Sequence, residues 1–353
     1  MKNIYKKMTA AALAVLVSGA LGACSSSGSA SSAAGTPASA SQTSAAASGS
    51  SVKAAKKIGI IEYAVNASLD NCHEGFMKGL EESGYQEGKN LTVDFQNAQA
   101  DANNAKTIAQ TMVAKKYDLV MGIATPAAMA LYGAAKSANI PTIFTSVNDP
   151  VSCGIVESLE KPGINCTGSS DVLPLEAQIK LIRAFLPNAK KIGVLHTTSE
   201  PNSTACLKKF QTLAPKYGFE VVEIGVTGSS DVEPAVKTLI SKRVDCINNF
   251  TDNNVVNHLS GLLQAANEAK IPIFGSEVEQ VKDGCLASVS IDFVALGEET
   301  GKMAAKVLDG TAKPADTPVY VVDFGKPVYN EKVLKQLGLT LPKDYSGAEN
   351  MAQ

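Results

Sequence analysis

Tryptophan is absent from the 353-residue chain, aromatic residues make up 5% of it, and histidine occurs three times. Scarce rings weaken a reading that needs flat faces to stack on a sugar, although Tyr and Phe can substitute. The histidines leave little material for acid–base chemistry. His73 and His258 fall on expected helices with no acid at i+4, and His196 ends an expected strand. No Gly-x-Ser-x-Gly elbow, His-Glu-x-x-His pair, Walker A loop or strand-placed Gly-x-Gly-x-x-Gly occurs, so hydrolase, zinc and nucleotide chemistry have no motif to rest on. The chain reads as a non-enzyme without metal or cofactor. Positive charge is also short, with 32 Lys+Arg against 34 Asp+Glu. Phosphate backbones need a basic surface, which excludes nucleic acid as a partner.

What is present begins with a targeting signal. Lys2, Lys6 and Lys7 precede an uncharged run over residues 8–23 that ends in Leu21-Gly22-Ala23-Cys24. The run is shorter than the ~18 residues of a membrane span and ends in small, cleavable residues, as a secretory signal does. Leu-Gly-Ala-Cys resembles the bacterial lipobox. That resemblance implies a signal peptide over residues 1–23 and a lipid on Cys24, which would hold the protein at the extracytoplasmic face of the cell membrane. A plain signal peptide with Cys24 unmodified is the alternative. Residues 25–52 carry no charge and consist mainly of Ser, Ala, Gly, Thr and Pro. Such a segment buries too little apolar area to offset its chain entropy, so residues 24–55 are expected to form a disordered tether. Of the six remaining cysteines, only Cys153 and Cys166 are close in sequence and both in loop or strand context, which makes them the one candidate bridge.

From residue 56 to residue 338, short β-rich runs alternate with amphipathic segments, the rhythm of βαβ units around a parallel sheet. The expected class is α/β, as two doubly wound lobes joined by a hinge. An internal repeat supports two copies. Lys56-Lys57-Ile58-Gly59-Ile60 returns as Lys190-Lys191-Ile192-Gly193-Val194, Tyr117-Asp118-Leu119-Val120 as Val244-Asp245-Cys246-Ile247, and Asn139-Ile140-Pro141 as Lys270-Ile271-Pro272. The expected lobes are residues 56–171 plus about 292–318, and residues 172–291 plus about 319–345.

In doubly wound sheets, ligands bind beyond the carboxyl ends of the strands. Residues at equivalent strand ends should therefore line one cleft. Lobe one offers Asn66 after its first strand, Thr125 after its third, and Thr145, Ser146, Asn148 and Asp149 after its fourth. Lobe two offers Glu200, then Thr251 and Asp252, then Glu277. Thr125-Pro126 opens a helix, whose free N–H groups and positive dipole end suit an anion. Asp252, read as equivalent to Thr125, and Glu277, read as equivalent to Ser146, suit a cation. Donors on one wall and carboxylates on the other fit a zwitterion such as an amino acid. Asp252, Asp149 and Thr125 also suit helix caps, and Glu277 a solvated surface acid.

Gly122-Ile123-Ala124-Thr125-Pro126-Ala127-Ala128, Asn148-Asp149-Pro150-Val151, Gly163-Ile164-Asn165-Cys166-Thr167-Gly168, Ser199-Glu200-Pro201-Asn202-Ser203, Thr251-Asp252-Asn253 and Leu296-Gly297-Glu298-Glu299-Thr300-Gly301 resemble the substrate-binding lipoproteins of a bacterial ABC importer family. The resemblance spans residues 56–342. It implies a type I periplasmic-binding-protein fold and a small-molecule ligand that can be an aromatic amino acid. It also implies ABC permease and ATPase partners, and ligand contacts from Thr125, Ser146, Asn148, Asp149, Glu200, Thr251, Asp252 and Glu277. The loop Glu62-Tyr63-Ala64-Val65-Asn66 departs from the family form, with Tyr63, Phe250 and Phe293 left as stacking partners. A monomer is expected. A sugar or nucleoside receptor on the same fold, or a ligand-sensing module for a membrane kinase, are the alternatives.

Overall fold

The computed structural model describes residues 53–322 and 325–352. The expected signal peptide, Cys24 and the tether through residue 52 lie outside them.

The first half alternates strand and helix up to its last two strands, which follow one another with no helix between them. It runs β1 (Lys56–Glu62), α1 (Ala67–Glu82), β2 (Leu91–Asn97), α2 (Ala102–Ala114), β3 (Leu119–Ile123), α3 (Thr125–Ala135), β4 (Thr142–Thr145) and β5 (Cys166–Ser170). The second half repeats the rhythm with α4 (Leu175–Phe185), β6 (Lys191–Thr197), α5 (Pro201–Leu213), β7 (Glu220–Val226), α6 (Val232–Ser241), β8 (Cys246–Asn248), α7 (Asn253–Asn257), α8 (Leu259–Glu268), β9 (Ile273–Phe274), α9 (Val278–Asp283) and β10 (Ala287–Val289). The chain then continues through α10 (Phe293–Leu308), β11 (Tyr320–Val321), β12 (Pro327–Tyr329), α11 (Glu331–Gln336) and β13 (Glu349–Asn350).

One sheet has the order β11-β5-β4-β3-β1-β2 and the other β7-β6-β8-β9. Every pair in both is parallel. The central strand β3, Leu-Val-Met-Gly-Ile, is buried at each position, as a parallel strand covered by helices on both faces must be. Leu286 N donates to Ile273 O at 2.6 Å and Gly275 N to Ala287 O at 3.1 Å, so β10 extends the second sheet past β9. The antiparallel β12 then pairs with β10.

The internal repeat is visible bond by bond. Lys57 N donates to Asp118 Oδ2 at 2.7 Å, and Lys191 N to Asp245 Oδ2 at 2.8 Å. Val120 N donates to Pro141 O at 3.0 Å, and Ile247 N to Pro272 O at 2.9 Å. The Lys-Lys-Ile-Gly and Ile-Pro signatures therefore mark the same structural joints in both halves.

Helix α10 returns to the first sheet and crosses α1 with the two backbones in contact. A Cβ on Gly75 would sit 2.0 Å from Val294 O, and one on Gly79 2.2 Å from Glu298 O. The reverse holds for Gly297 and Gly301, whose Cβ atoms would each lie 2.2 Å from a carbonyl of α1. Two Gly-x-x-x-Gly pairs thus fix α10, and with it Phe293 at its first turn.

Two expectations need correction. Residues 319–321 were placed with the second lobe, but Tyr320 pairs with Ser169 and Val321 with Ser170. Parallel pairing to β5 keeps that segment on the first sheet, so the crossing follows Val322. Cys153 and Cys166 are not bridged, and the six described cysteines are free. Cys166 is sealed on β5 among Phe144, Val147 and Ile155, a small hydrophobe in a packed cluster.

Candidate functional site

The carboxyl ends of both sheets open on one narrow cavity. Its lining follows the strand ends in turn. Asn66, Ser68 and Leu69 come after β1, Ala124 and Thr125 after β3, Ser146 and Asn148 after β4, and Asp171 after β5. From the second half come Asn202 after β6, Thr251, Asn253 and Val256 after β8, and Glu277 after β9. Phe293 closes the ring. No Lys, Arg or His lines it, while two carboxylates do.

Local structure explains how these groups are held. Asn66 caps α1, accepting from Leu69 N at 3.1 Å. Helix α3 starts after Ala124 with no side-chain cap, so no side chain accepts from its first-turn N–H groups. Ala124 sits at φ 76 and Ser146 at φ 55, left-handed values that cost a non-glycine residue about 1–3 kcal/mol each. Both strained residues line the cavity, where the strain aims neighbouring N–H and hydroxyl groups. Asn148 donates from Nδ2 to Asp171 O at 2.9 Å, and its Oδ1 accepts from Thr251 Oγ1 at 3.5 Å, so it touches both halves of the wall.

Asp171 has the most distinctive chemistry. It is 1% exposed. Its Oδ2 accepts from Ser146 Oγ at 3.0 Å, but Oδ1 has no partner. Burial pushes its pKa up to about 6 against the opposing hydrogen bonds of Ser146 and Asn148. Thr125 Oγ1 and Asn202 Oδ1 are likewise buried without partners. Ser68 Oγ is a fourth such atom on the lining. Unsatisfied buried polar atoms are costly and rare, and four of them on one cavity mark a place suited to a polar ligand. Glu277 is 2% exposed, accepts from Gln280 Nε2 at 3.0 Å, and is pushed up to about 7 by burial, against the lowering influence of the Ser68 hydroxyl and the Gln280 amide.

The structure brings together Asn66, Thr125, Ser146, Asn148, Thr251 and Glu277 of the expected site residues, and it places four elsewhere. Thr145 points into the interior of the first half, bonded to Ser169 at 2.9 Å and Thr300 at 3.3 Å. Asp149 lies off the cavity in an ion pair with Lys209. Glu200 is buried behind the wall, where its carboxylate accepts from the backbone and side-chain nitrogens of Asn253 and Asn254 and so positions Asn253. Burial, and secondly the charge of Asp252, raise its pKa. Asp252 itself is 0% exposed and fully used inside the protein. It accepts from Thr197 N at 2.5 Å, Thr197 Oγ1 at 2.7 Å, the Ser203 hydroxyl and Val255 N at 3.0 Å, the last as the cap of α7. Asp252 as the cation-receiving group is therefore a misreading by one residue. The cap of α7 corresponds to Ala124, the cap of α3, so the counterpart of Thr125 is Asn253, and Asn253 does line the cavity. Of the candidate stacking rings, Phe293 lines the cavity. Tyr63 is buried with its hydroxyl on Ala100 O, and Phe250 packs edge-on against Phe210.

The residue that the sequence reading missed is Asp171. Its signal was present, since Gly168-Ser169-Ser170-Asp171 ends the fifth strand as Ser146 ends the fourth. In the sequence the same stretch marks the end of the first lobe, which hides its second role.

Among the described residues, no helix is long and apolar enough to cross a membrane, and no group of three or more His, Cys, Asp or Glu is placed to hold a metal.

Comparison with known proteins agrees with this geometry. Residues 57–348 match the family model described as ABC transporter substrate binding protein. A tyrosine-binding protein of Clostridioides difficile (strain R20291) is 42% identical over 287 residues, covering 81% of this chain and 82% of that protein. The ABC domain from Streptococcus pneumonia in complex with L-Trp is 38% identical with a TM-score of 0.80, covering 84% of this chain and 99% of that one. The ligand-free, open structure of a substrate binding protein with adhesive properties from Clostridium difficile is also 38% identical over 84% of this chain and 99% of that one, with a TM-score of 0.64. Sugar-binding neighbours are distant, at 17% identity or lower, and bear on the fold alone. The chain belongs to the ABC transporter substrate binding protein family, whose members present a small-molecule ligand to an ABC transporter on the extracytoplasmic side.

Proposed function

We propose that the protein captures a free α-amino acid, preferentially an aromatic one, by closing two lobes around it. The observation that carries this reading is the unpartnered Asp171 Oδ1 in a cavity that also holds the Thr125 hydroxyl and the uncapped start of α3. The ammonium would sit on Asp171, the carboxylate on Thr125 and the N–H groups of α3. The side chain would lie against Phe293, Leu69 and Val256. Tyrosine and tryptophan on the relatives at 42% and 38% identity favour an aromatic side chain.

The lobes in this reading are residues 56–171 with 292–322, and residues 172–291 with the chain from 325 onward. At equal identity, the chain superposes better on the tryptophan complex, with a TM-score of 0.80, than on the open, ligand-free relative at 0.64, which supports a closed arrangement. Closure responds to ligand only because the ligand binds the closed form better, by touching both walls. The protein would act as a monomer held at the membrane by lipid on Cys24, with residues 25–52 as its tether.

A thermal-shift screen of the twenty amino acids, common sugars and nucleosides tests the reading, since a tight ligand raises the midpoint by mass action. L-tyrosine, L-tryptophan or L-phenylalanine should give the largest shift. A shift confined to sugars or nucleosides would overturn it.

A further inference from the structure

The two carboxylates of the cavity cannot both be charged beside a zwitterion. Asp171 and Glu277 are 1% and 2% exposed, and no basic side chain lines the space they share. With both ionised, a bound amino acid would put three negative groups against one ammonium in a closed volume, and a buried excess charge of that kind is strongly disfavoured.

The surroundings decide which acid keeps a proton. Asp171 accepts from Ser146 and presents a bare Oδ1, an acceptor arrangement suited to an ammonium. Glu277 sits at the start of α9 beside Gln280, whose amide is locked. Gln280 Oε1 accepts from Asn249 Nδ2 at 3.0 Å and Ser276 N at 3.2 Å, and its Nε2 donates to Phe250 O at 3.1 Å and Glu277 Oε1 at 3.0 Å. The amide cannot flip without losing these bonds, so Glu277 Oε1 stays an acceptor. A proton on this carboxyl belongs on Oε2, held there by burial, against the Ser68 hydroxyl and the Gln280 amide, which favour the anion. The titratable groups around Glu277 all favour the neutral form or are uncharged. They are Asp171 from the loop after β5, Glu279 and Asp283 on α9, and the thiols of Cys72 on α1 and Cys285. The nearby Lys282 is engaged by Glu279 at 3.3 Å. Around Asp171 stand Glu277 and the thiols of Cys72 and Cys206.

We propose that Glu277 works as a neutral acid in the liganded cavity, donating its carboxyl O–H to an oxygen of the bound amino acid and leaving Asp171 as the single anion. Glu277 is then a specificity residue. It selects a ligand with an acceptor at that position, and it makes affinity depend on pH in a range where the ligand's own ammonium does not titrate. This rests on the amino-acid reading above.

The test is calorimetric titration of L-tyrosine and L-tryptophan into the wild type, Glu277→Gln and Asp171→Asn from about pH 5.5 to about pH 8.5. Binding that needs the proton should weaken by up to about tenfold per pH unit once the pH passes about 7. Glu277→Gln, which donates from an amide at every pH, should bind within about threefold of the wild type at about pH 6 and lose the fall in affinity above about pH 7. Asp171→Asn should bind poorly throughout. Affinity should first rise as Asp171 loses its proton at about pH 6. Wild-type affinity that keeps rising above about pH 7 would mean that the ammonium expels the proton of Glu277, and it would overturn the inference. A loss of more than about tenfold in Glu277→Gln with the wild type intact would overturn it too. Failure of the wild type to bind either ligand at any pH would instead overturn the amino-acid reading, and this inference with it.

Discussion

Lys209 Nζ lies 2.7 Å from Asp149 Oδ2, tying α5 of the second half to the loop after β4 of the first. A second cross-tie runs from Asn71 Nδ2 on α1 to Glu279 Oε1 on α9 at 2.9 Å. Neither pair lines the cavity, and each joins elements that carry opposite walls of it.

Lys209→Ala should therefore weaken ligand affinity without touching the ligand. The lysine side chain is 54% exposed and the aspartate 23%, so the pair contributes at most about 1 kcal/mol, or about fivefold in affinity. The double reversal Lys209→Asp with Asp149→Lys should restore most of it, and added salt should shrink the wild-type advantage. Calorimetry of all three proteins checks this. An unchanged affinity for Lys209→Ala removes the pair from closure.

Gly79→Ala should destabilise the fold by about 1–3 kcal/mol, because the new methyl has only the backbone of α10 to displace. Gly133, inside α3, has nothing within 4 Å of the Cβ position, and Gly133→Ala should stabilise by up to about 1 kcal/mol through helix propensity. Urea unfolding of both variants separates close packing from glycine content as such.

The ligand-free protein should be more stable in mild acid than at neutral pH. Burial away from the cavity lining raises Glu62 to about 7, and Glu200 shifts in the same direction. A carboxyl that holds its proton more tightly when folded stabilises the fold below its ordinary pKa, and that gain disappears as pH rises through the folded value. The pH window is therefore about 4 to 7. Surface acids such as Asp94, held low by its hydrogen bond to Lys115, act only below it. Melting temperatures near pH 5 should exceed those near pH 7.5 without ligand. The reverse order would contradict the burial of these groups.

Cys24→Ser should release the protein from membranes. Continued fractionation with membranes would rule out anchoring by Cys24.

The α/β class and the duplication were legible because the repeated Lys-Lys-Ile-Gly and Ile-Pro runs sit at strand joints that impose the same backbone bonds twice. Six of the ten expected residues line the cavity for a related reason, since in a parallel sheet the strand end is also the cavity wall. The errors came from side-chain direction, which spacing does not encode. Thr145 and Ser146 are adjacent, yet the strand alternation sends Thr145 inward to Ser169 while the positive φ of Ser146 turns the next hydroxyl to Asp171. Asp252 was misplaced because a repeat aligned by strands slips by one residue where a helix cap intervenes. The late crossing after Val322 was hidden because β11 is two residues long and exposed, without the apolar pattern of a buried strand.

The most direct test of the central claim compares Asp171→Asn with Asp252→Asn by titration with L-tyrosine and L-tryptophan. Leaving an ammonium without its buried carboxylate costs about 2–5 kcal/mol. Asp171→Asn should thus bind at least about thirtyfold more weakly while melting no lower than the wild type. Asp252→Asn should instead lower the melting temperature, through the bonds it makes to Thr197, Ser203 and Val255. Wild-type affinity in a folded Asp171→Asn protein would contradict the account.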